Sequence, residues 1–560
     1  MKSIRHLKKY SDFATLALVL AGFLYVATPR LATVPVPHTD ESYMLLTSYE
    51  MLYRGKLALP FRRLLGGNIE NNWHSLTPVH YVIQSGFLKL FGWGLAQGRA
   101  FNLTMAILVL VMVYLIGRKL FDWRAGLIAI ALLVCDVTFL ERSRYLRNDF
   151  SAALFALLAF MLYESAERRN NTKLFIGSGL AAGAALMCHT SAAYIVLTIP
   201  VLMLLRRGWR IIKTSSLYQF ALSVLVVSAY EIITAALDWN NVLLQNRGDR
   251  RHFKILDPGG WWKNIQDEPK RYEIWQSGDF MYADVPRLLT HLFYYLTVIA
   301  LAYLAIRWIV RIKQGGVTND ARFRILVVTL MAVTFFAVVT SQKAVYYMAH
   351  LTPWFALAVG AMLIDGIDFV ARMRNREWGS SRAPRYVTWA GGTALVLFPV
   401  LFGYQAVKQN KSYLRNVLDP NAATFDEFRT VMRSMVPDGV CPVVVREAAI
   451  WLVFPEHDLC FANIEKRMKD AVDIDGKEYA LIVNPRRARS WLKHEIKNHH
   501  HLLGEMTDTP YGSFQVYYTG IDPRWLALEP MSYQFFGDRR GYTTTRAAIQ
   551  TESPARQTER

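Results

Sequence analysis

Long apolar runs separated by short clusters of charge recur through most of the chain, and each run approaches the roughly 20 apolar residues that a bilayer-spanning helix needs. The runs Asp12 to Pro29, Gln97 to Arg118, Trp123 to Leu140 and Phe150 to Tyr163 meet or nearly meet that length. Seven more follow: Leu174 to Ala192, Tyr194 to Leu205, Leu217 to Leu237, Leu288 to Val310, Ile325 to Thr340, Leu351 to Val370 and Val387 to Ala406. The pattern predicts a mostly α, polytopic membrane protein with about 11 transmembrane helices. The break from His189 to Ala193 divides two short spans; read as one helix, they would invert everything downstream.

Charge decides between the two counts. With eleven spans, every segment on one side is basic, from Lys2, Arg5, Lys8 and Lys9 through Arg206, Arg207, Arg210 and Lys213 to Arg372, Arg374, Arg376, Arg382 and Arg385. The positive-inside rule then places the N-terminus inside and the C-terminus outside. The first helix, which also resembles a signal peptide, lacks a small-residue cleavage site and is expected to be retained. On this reading a membrane domain occupies residues 1–407, with outer loops at 30–96 and 238–287, the first carrying interfacial helices.

Beyond Val407 the pattern shortens. "TFDE" at Thr424 to Glu427 is a capping box, and "CPVVVR" and "YALIVN" read as strands, so residues 408–544 are expected to form a small extracytoplasmic α/β domain. Residues 545–560 hold almost no large apolar side chains and are expected to be disordered.

Composition narrows the class. Of 560 residues 53% are hydrophobic and only 19% charged, which excludes disorder and coiled coil as the main state. The formal charge of +20 is largely topology, so nucleic acid is not an expected partner. Four cysteines cannot make a disulfide scaffold; Cys135 and Cys188 fall in apolar runs, while Cys441 and Cys460 could pair outside the membrane.

Three outer segments carry residues that a merely structural loop does not need. Asp40 and Glu41 open "HTDESYMLLTSYEMLYRG", either as a helix start or as a general base, Asp40, with Glu41 tuning it, binding a metal or orienting an acceptor. The helix behind them, with Tyr43, Leu46, Tyr49 and Tyr53, suits the interface. "LERSRYLRNDF" packs Arg142, Arg144, Arg147 and Asp149 on the side that should be poor in cations, which reads as a phosphate clamp or as an internal ion-pair cluster. "TSQKAVYYMAHLTP" adds Lys343, Tyr346, Tyr347 and His350 on the same side, where a lysine and tyrosine hydroxyls suit a lipid phosphate, although the aromatics alone would make an ordinary interfacial belt.

In this order these segments resemble the GT-C superfamily of polyprenyl-phosphate-sugar-dependent glycosyltransferases, in the branch that holds protein O-mannosyltransferases and the lipid A aminoarabinose transferase. The resemblance covers roughly the first 370 residues, through "DESY", "HSLTPVHYVIQSGFLKLFGWGLAQGRAFNL", "RYLRNDF" and "KAVYYMAHLTP". It implies transfer of a sugar from a polyprenyl-phosphate donor to an acceptor hydroxyl of a protein, lipid or glycan at the outer face of a bacterial inner membrane; direct attack with a single base then predicts inversion. It implies Asp40 as base, Asp149 in the same cavity, and Lys343, Tyr346 and Tyr347 near the donor phosphate, to which the misplaced charge of Arg144 and Arg147 adds two further candidates. His74 stands where relatives carry a histidine or lysine, but the Pro-Pro-Leu run that follows in them is absent here. A divalent metal is left open, since arginines and a lysine can neutralise the phosphate. "GGWW" at Gly259 to Trp262 reads as an interfacial anchor, and "NHHH" at Asn498 to His501 as a solvated helix end rather than a metal site. A flippase or a non-catalytic subunit is the rival class; acids gathered at one face and no visible repeat favour an enzyme.

Overall fold

The computed structural model describes residues 2–32, 39–59, 74, 77–249, 258–277, 287–314, 320–375, most of 403–415, 425–445, 479–483, 501–509, 512–518 and 531–534. These fall in two compact units, one of residues 1–35, 43–59 and 65–418, the other of 36–42, 60–64 and 419–560.

The first unit is helical. Its elements are α1 (Lys2–Ala27), α2 (Thr39–Arg54, whose first turn falls in the other unit), α3 (Pro78–Phe91), α4 (Leu95–Leu120), α5 (Trp123–Cys135), α6 (Val137–Ser143), α7 (Asp149–Arg169) and α8 (Thr172–Leu186). They continue with α9 (Ala193–Arg207), α10 (Ser215–Leu237), α11 (Trp239–Asp249), α12 (Pro258–Asp267), α13 (Pro269–Ser277), α14 (Leu288–Lys313), α15 (Ala321–Val339) and α16 (Met348–Asn375). Among the described residues, six helices are long and apolar enough to cross a membrane, or seven if α5 and α6 form one span. The chain is therefore a multi-pass membrane protein. The expected total of eleven is not established: α1 and α8 contribute shorter apolar stretches, and most of Val387 to Ala406 lies outside the described residues.

Two expectations about helix breaks meet the structure differently. The chain does break at His189, whose Nδ1 accepts from the Ser191 backbone N–H at 3.0 Å, so α8 and α9 are separate helices. The run Trp123 to Leu140, expected as one span, bends by 74° after α5. Asp136 is the cause: its carboxylate accepts from Thr138 N at 3.2 Å and Phe139 N at 3.3 Å, capping α6 and offering the backbone an alternative to continuing α5.

Small residues let the helices approach. A Cβ placed on Gly117 of α4 would stand 2.7 Å from Gly126 Cα of α5, and one on Gly126 would stand 2.6 Å from the Tyr114 carbonyl oxygen. Gly360 of α16 and Gly179 of α8 sit equally tightly against Ala125 and Phe220. Outward-facing positions stay apolar, as on α10, where Leu222, Leu225, Val226 and Ile233 are exposed. The inward ionic groups pair: Glu164 of α7 meets Arg324 of α15 at 2.7 Å, and Glu167 meets Arg206 at 3.2 Å and Arg207 at 2.8 Å.

The described part of the second unit includes the helix α17 (Phe425–Ser434) and the strands β1 (Cys441–Val445), β2 (Tyr479–Val483), β3 (His501–Thr509), β4 (Gly512–Tyr518) and β5 (Met531–Gln534), with order β1-β2-β4-β3-β5. β1 pairs parallel with β2, and β3 with β5; the other two pairings are antiparallel. Phe514, Val516 and Tyr518 alternate inward along β4, and Phe428 of α17 meets Phe514 at 5.6 Å between rings. Both strand expectations and the helix after Thr424 are met. His501 begins a strand instead of ending a helix; Asn498 to His500 and the pairing of Cys441 with Cys460 lie outside the described residues, as does 545–560. Cys135 and Cys188 are buried free thiols.

Candidate active site

The bend at Asp136 delivers the arginine-rich segment to the end of the helix packing, and a set of side chains fixes it there. Thr290 Oγ1 and Trp275 Nε1 donate to the Asp136 carboxylate at 2.9 and 3.2 Å, tying the bend to α14 and α13. From α4, Asn102 Nδ2 donates to the carbonyls of Arg142 at 3.1 Å, Ser143 at 3.2 Å and Tyr145. Arg144, fully buried, donates to the Pro29 carbonyl at 2.6 Å, and Asn148 Nδ2 to that of Cys188 at 2.7 Å. The segment is thus held by neutral and cationic donors on backbone oxygens, and Arg144 helps to build the site.

Asp149 begins α7 in this frame, where the helix N-terminus favours an anion. It is 2% exposed. Its Oδ2 accepts from Arg147 Nε at 2.7 Å, while its Oδ1 lies 3.3 Å from His350 Nε2 and 4.0 Å from His189 Nε2. The Arg147 guanidinium lies over the Tyr346 ring, 3.7 Å from its centroid, and Tyr346 and Tyr347 are edge to face at 4.6 Å. Tyr347 also faces His189 at 5.8 Å. Asp149, Arg147, Tyr346, Tyr347 and His350, named from the sequence, therefore form one cluster, to which the structure adds His189.

Lys343 lies beside that cluster. Its Nζ donates to Glu268 Oε2 at 2.7 Å, and Arg271 Nε donates to Glu268 Oε1 at 2.9 Å. The Arg271 guanidinium stands 5.6 Å from the Tyr347 ring, so the two groups are continuous. Burial pushes the Lys343 ammonium below its usual range, against the opposing pull of Glu268. Glu268 and Arg271 come from the segment 238–287 between α10 and α14, and neither was singled out from the sequence. The signal that could have found Arg271 is the one that marked Arg142 to Arg147: a cation on the side expected to lack them.

His80 of α3 is completely buried, with Nδ1 3.0 Å from Ser151 Oγ. Burial pushes its imidazole down to about 3 although Asp149 pulls upward, so it is neutral. His74 ties the segment between α2 and α3 to the α10–α11 junction: its backbone N–H donates to Gln245 at 2.8 Å and its Nε2 lies 2.9 Å from Asp238 Oδ2. That bond holds the Asp238 carboxyl below the usual range. Asp40 and Glu41 occupy the first turn of α2, Glu41 fully buried and Asp40 half-buried. They belong to the second unit, whereas Asp149 and Lys343 belong to the first. The "GGWW" tryptophans fall on α12, with Trp262 exposed and Trp261 at the margin. Among the described residues no group of three His, Cys, Asp or Glu side chains is arranged to hold a metal ion.

Positions 75–233 match the model of the dolichyl-phosphate-mannose-protein mannosyltransferase family. No curated protein sequence matches the chain. Among solved structures it is similar to ArnT from Cupriavidus metallidurans bound to undecaprenyl phosphate, with 11% identity and a TM-score of 0.56 over 92% of this chain and 99% of that one. It is also similar to the oligosaccharyltransferase AglB from Archaeoglobus fulgidus in complex with an inhibitory peptide and a dolichol-phosphate, with 15% identity and a TM-score of 0.51 over 81% of this chain and 64% of that one.

Proposed function

Starting from the GT-C glycosyltransferase fold that this chain has, we propose that it transfers a sugar from a polyprenyl-phosphate donor to an acceptor hydroxyl at the extracytoplasmic face of the bacterial inner membrane. The observation that carries the reading is the continuous cluster of Arg147, Asp149, Tyr346, Tyr347, Arg271 and Lys343, in which two arginines and a lysine gather beside two tyrosine rings. Cations in such surroundings suit a phosphate that must be held while its ester bond breaks.

In this mechanism Lys343 and Arg271 hold the donor phosphate, with Tyr346 and Tyr347 beside it. Asp149 orients Arg147 through its Oδ2, and His350 and His189 crowd its Oδ1, so the carboxylate stays where it is. Asp40 takes the proton of the acceptor hydroxyl as that oxygen attacks the anomeric carbon from the face opposite the phosphate. Direct attack with a single base inverts the anomeric centre. Glu41 supports the acceptor or Asp40, and His74 secures the outer loop.

The test is transfer of labelled sugar from a panel of polyprenyl-phosphate sugars to membrane extract by the purified full chain and by Asp40→Asn. Loss of a general base lowers the rate by about 10²- to 10⁴-fold. Transfer by the wild type alone supports donor class and base together. Wild-type turnover by Asp40→Asn removes the base assignment, and no transfer by either folded protein removes the reading.

A further inference from the structure

A carboxylate already sits between the two cations assigned to the donor phosphate. Glu268 receives Lys343 Nζ at 2.7 Å on Oε2 and Arg271 Nε at 2.9 Å on Oε1, with a further Arg271 nitrogen 3.3 Å from Oε2. The side chains are 8%, 6% and 0% exposed for Glu268, Lys343 and Arg271. The remaining donors of the two cations reach the carbonyls of Phe336, Ala337 and Ala344, so no second carboxylate meets them there among the described contacts. Tyr272 also faces Glu268, and burial holds its phenol neutral; Asp267 nearby is engaged by Lys270 at 2.6 Å. Two buried cations and one buried carboxylate leave one positive charge.

We propose that Glu268 sets this net charge so that the site matches a monoanionic sugar phosphodiester and is overcharged by the dianionic polyprenyl phosphate that transfer leaves behind. The inference rests on the glycosyl-transfer reading above. The donor phosphate is a diester with one ionised oxygen, so that donor, Glu268, Lys343 and Arg271 together sum to zero. In the reaction the acceptor oxygen forms a bond to the anomeric carbon and the carbon–oxygen bond to phosphate breaks. Its electron pair stays on the phosphate oxygen, and the acceptor proton leaves through the base. The product monoester is a dianion above its second pKa of about 6, and the group then carries an unmatched negative charge. An unpaired charge is disfavoured in a buried setting. Glu268 therefore weakens the grip on product and hastens the step that limits many transferases, release.

The experiment measures binding of two probes to the purified full chain in detergent: undecaprenyl phosphate and its methyl diester. At about pH 8 the wild type binds the diester more tightly, and the preference narrows at about pH 5.5, where the monoester has taken up its proton. Glu268→Gln tightens monoester binding about tenfold, the ratio that corresponds to about 1.4 kcal/mol, and changes the diester much less, while Glu268→Asp keeps the wild-type preference. An unchanged ratio in Glu268→Gln, or equal weakening of both probes, reduces Glu268 to a structural counter-ion and overturns the proposal. Should Glu268→Gln fail to fold, a wild-type preference that does not change with pH overturns it equally. A wild type that binds neither probe overturns the glycosyl-transfer reading as well, which separates the two failures.

Discussion

His350 Nε2 lies 3.3 Å from Asp149 Oδ1, bringing the start of α16 against the start of α7 at a carboxylate whose other oxygen is already bound to Arg147. Asp149 is thus enclosed by groups that stabilise its charge, and its ion pair holds Arg147.

Asp149→Asn tests that enclosure. It removes the Arg147–Asp149 ion pair, and breaking a buried pair from one side costs about 3 kcal/mol or more. The purified variant should unfold at clearly lower temperature and lose transfer, whereas unchanged thermal unfolding would mean that Arg147 is satisfied by other groups.

His80 makes the fold acid-sensitive. Its folded pKa of about 3 lies below the ordinary 6.5, so the unfolded chain takes up the proton first as pH falls. The stability that depends on neutral His80 is complete above 6.5 and is lost as pH falls toward 3, by up to about 1.4 kcal/mol per unit. At about pH 5 the wild type should have lost roughly 2 kcal/mol through this group, and His80→Gln should not. Thermal unfolding of both across that range is the measurement; parallel curves would refute the assignment.

Contact between α4 and α5 depends on the absence of a Cβ at Gly126. Gly126→Val drives a branched side chain into the Tyr114 carbonyl, and overpacking of this kind costs about 1–3 kcal/mol or more. The monodisperse fraction on size exclusion should drop. Gly177→Ala, whose Cβ would meet Leu162 at an ordinary 3.5 Å, should be neutral or slightly stabilising.

The pair of Glu164 and Arg324, 1% and 8% exposed, ties α7 to α15 in the interior. Glu164→Gln removes the charge that faces Arg324 and should lower stability by up to about 3 kcal/mol, while the double change with Arg324→Met should recover most of the loss. A double variant no better than the single would show that Arg324 has a second role.

What the sequence disclosed and what it withheld divides by distance along the chain. The long spans α4, α7, α10, α14, α15 and α16, the Arg142 to Asp149 segment and the Lys343 to His350 segment were legible because apolar length and misplaced charge are local signals. Glu268 and Arg271 were not, since their burial depends on the end of α15 and on Lys343, reached only after the chain has crossed α14. Asp136 reads as one polar residue in an apolar run; the Thr290 and Trp275 donors that satisfy its carboxylate at the break lie far along the chain. His80 was likewise hidden, because its partner Ser151 lies on another helix.

The bend at Asp136 also bears on how the protein is made. The 13 residues of α5 rise only about 20 Å, short of a hydrocarbon core of roughly 30 Å. As it leaves the ribosome this segment is therefore a poor membrane anchor by itself, with a carboxylate at its end and an arginine-rich stretch behind it. Its close packing on α4 at Gly126 and on α16 at Ala125 supplies the support that its own length lacks, so a residue that shapes the site also makes this segment dependent on its neighbours in the bilayer.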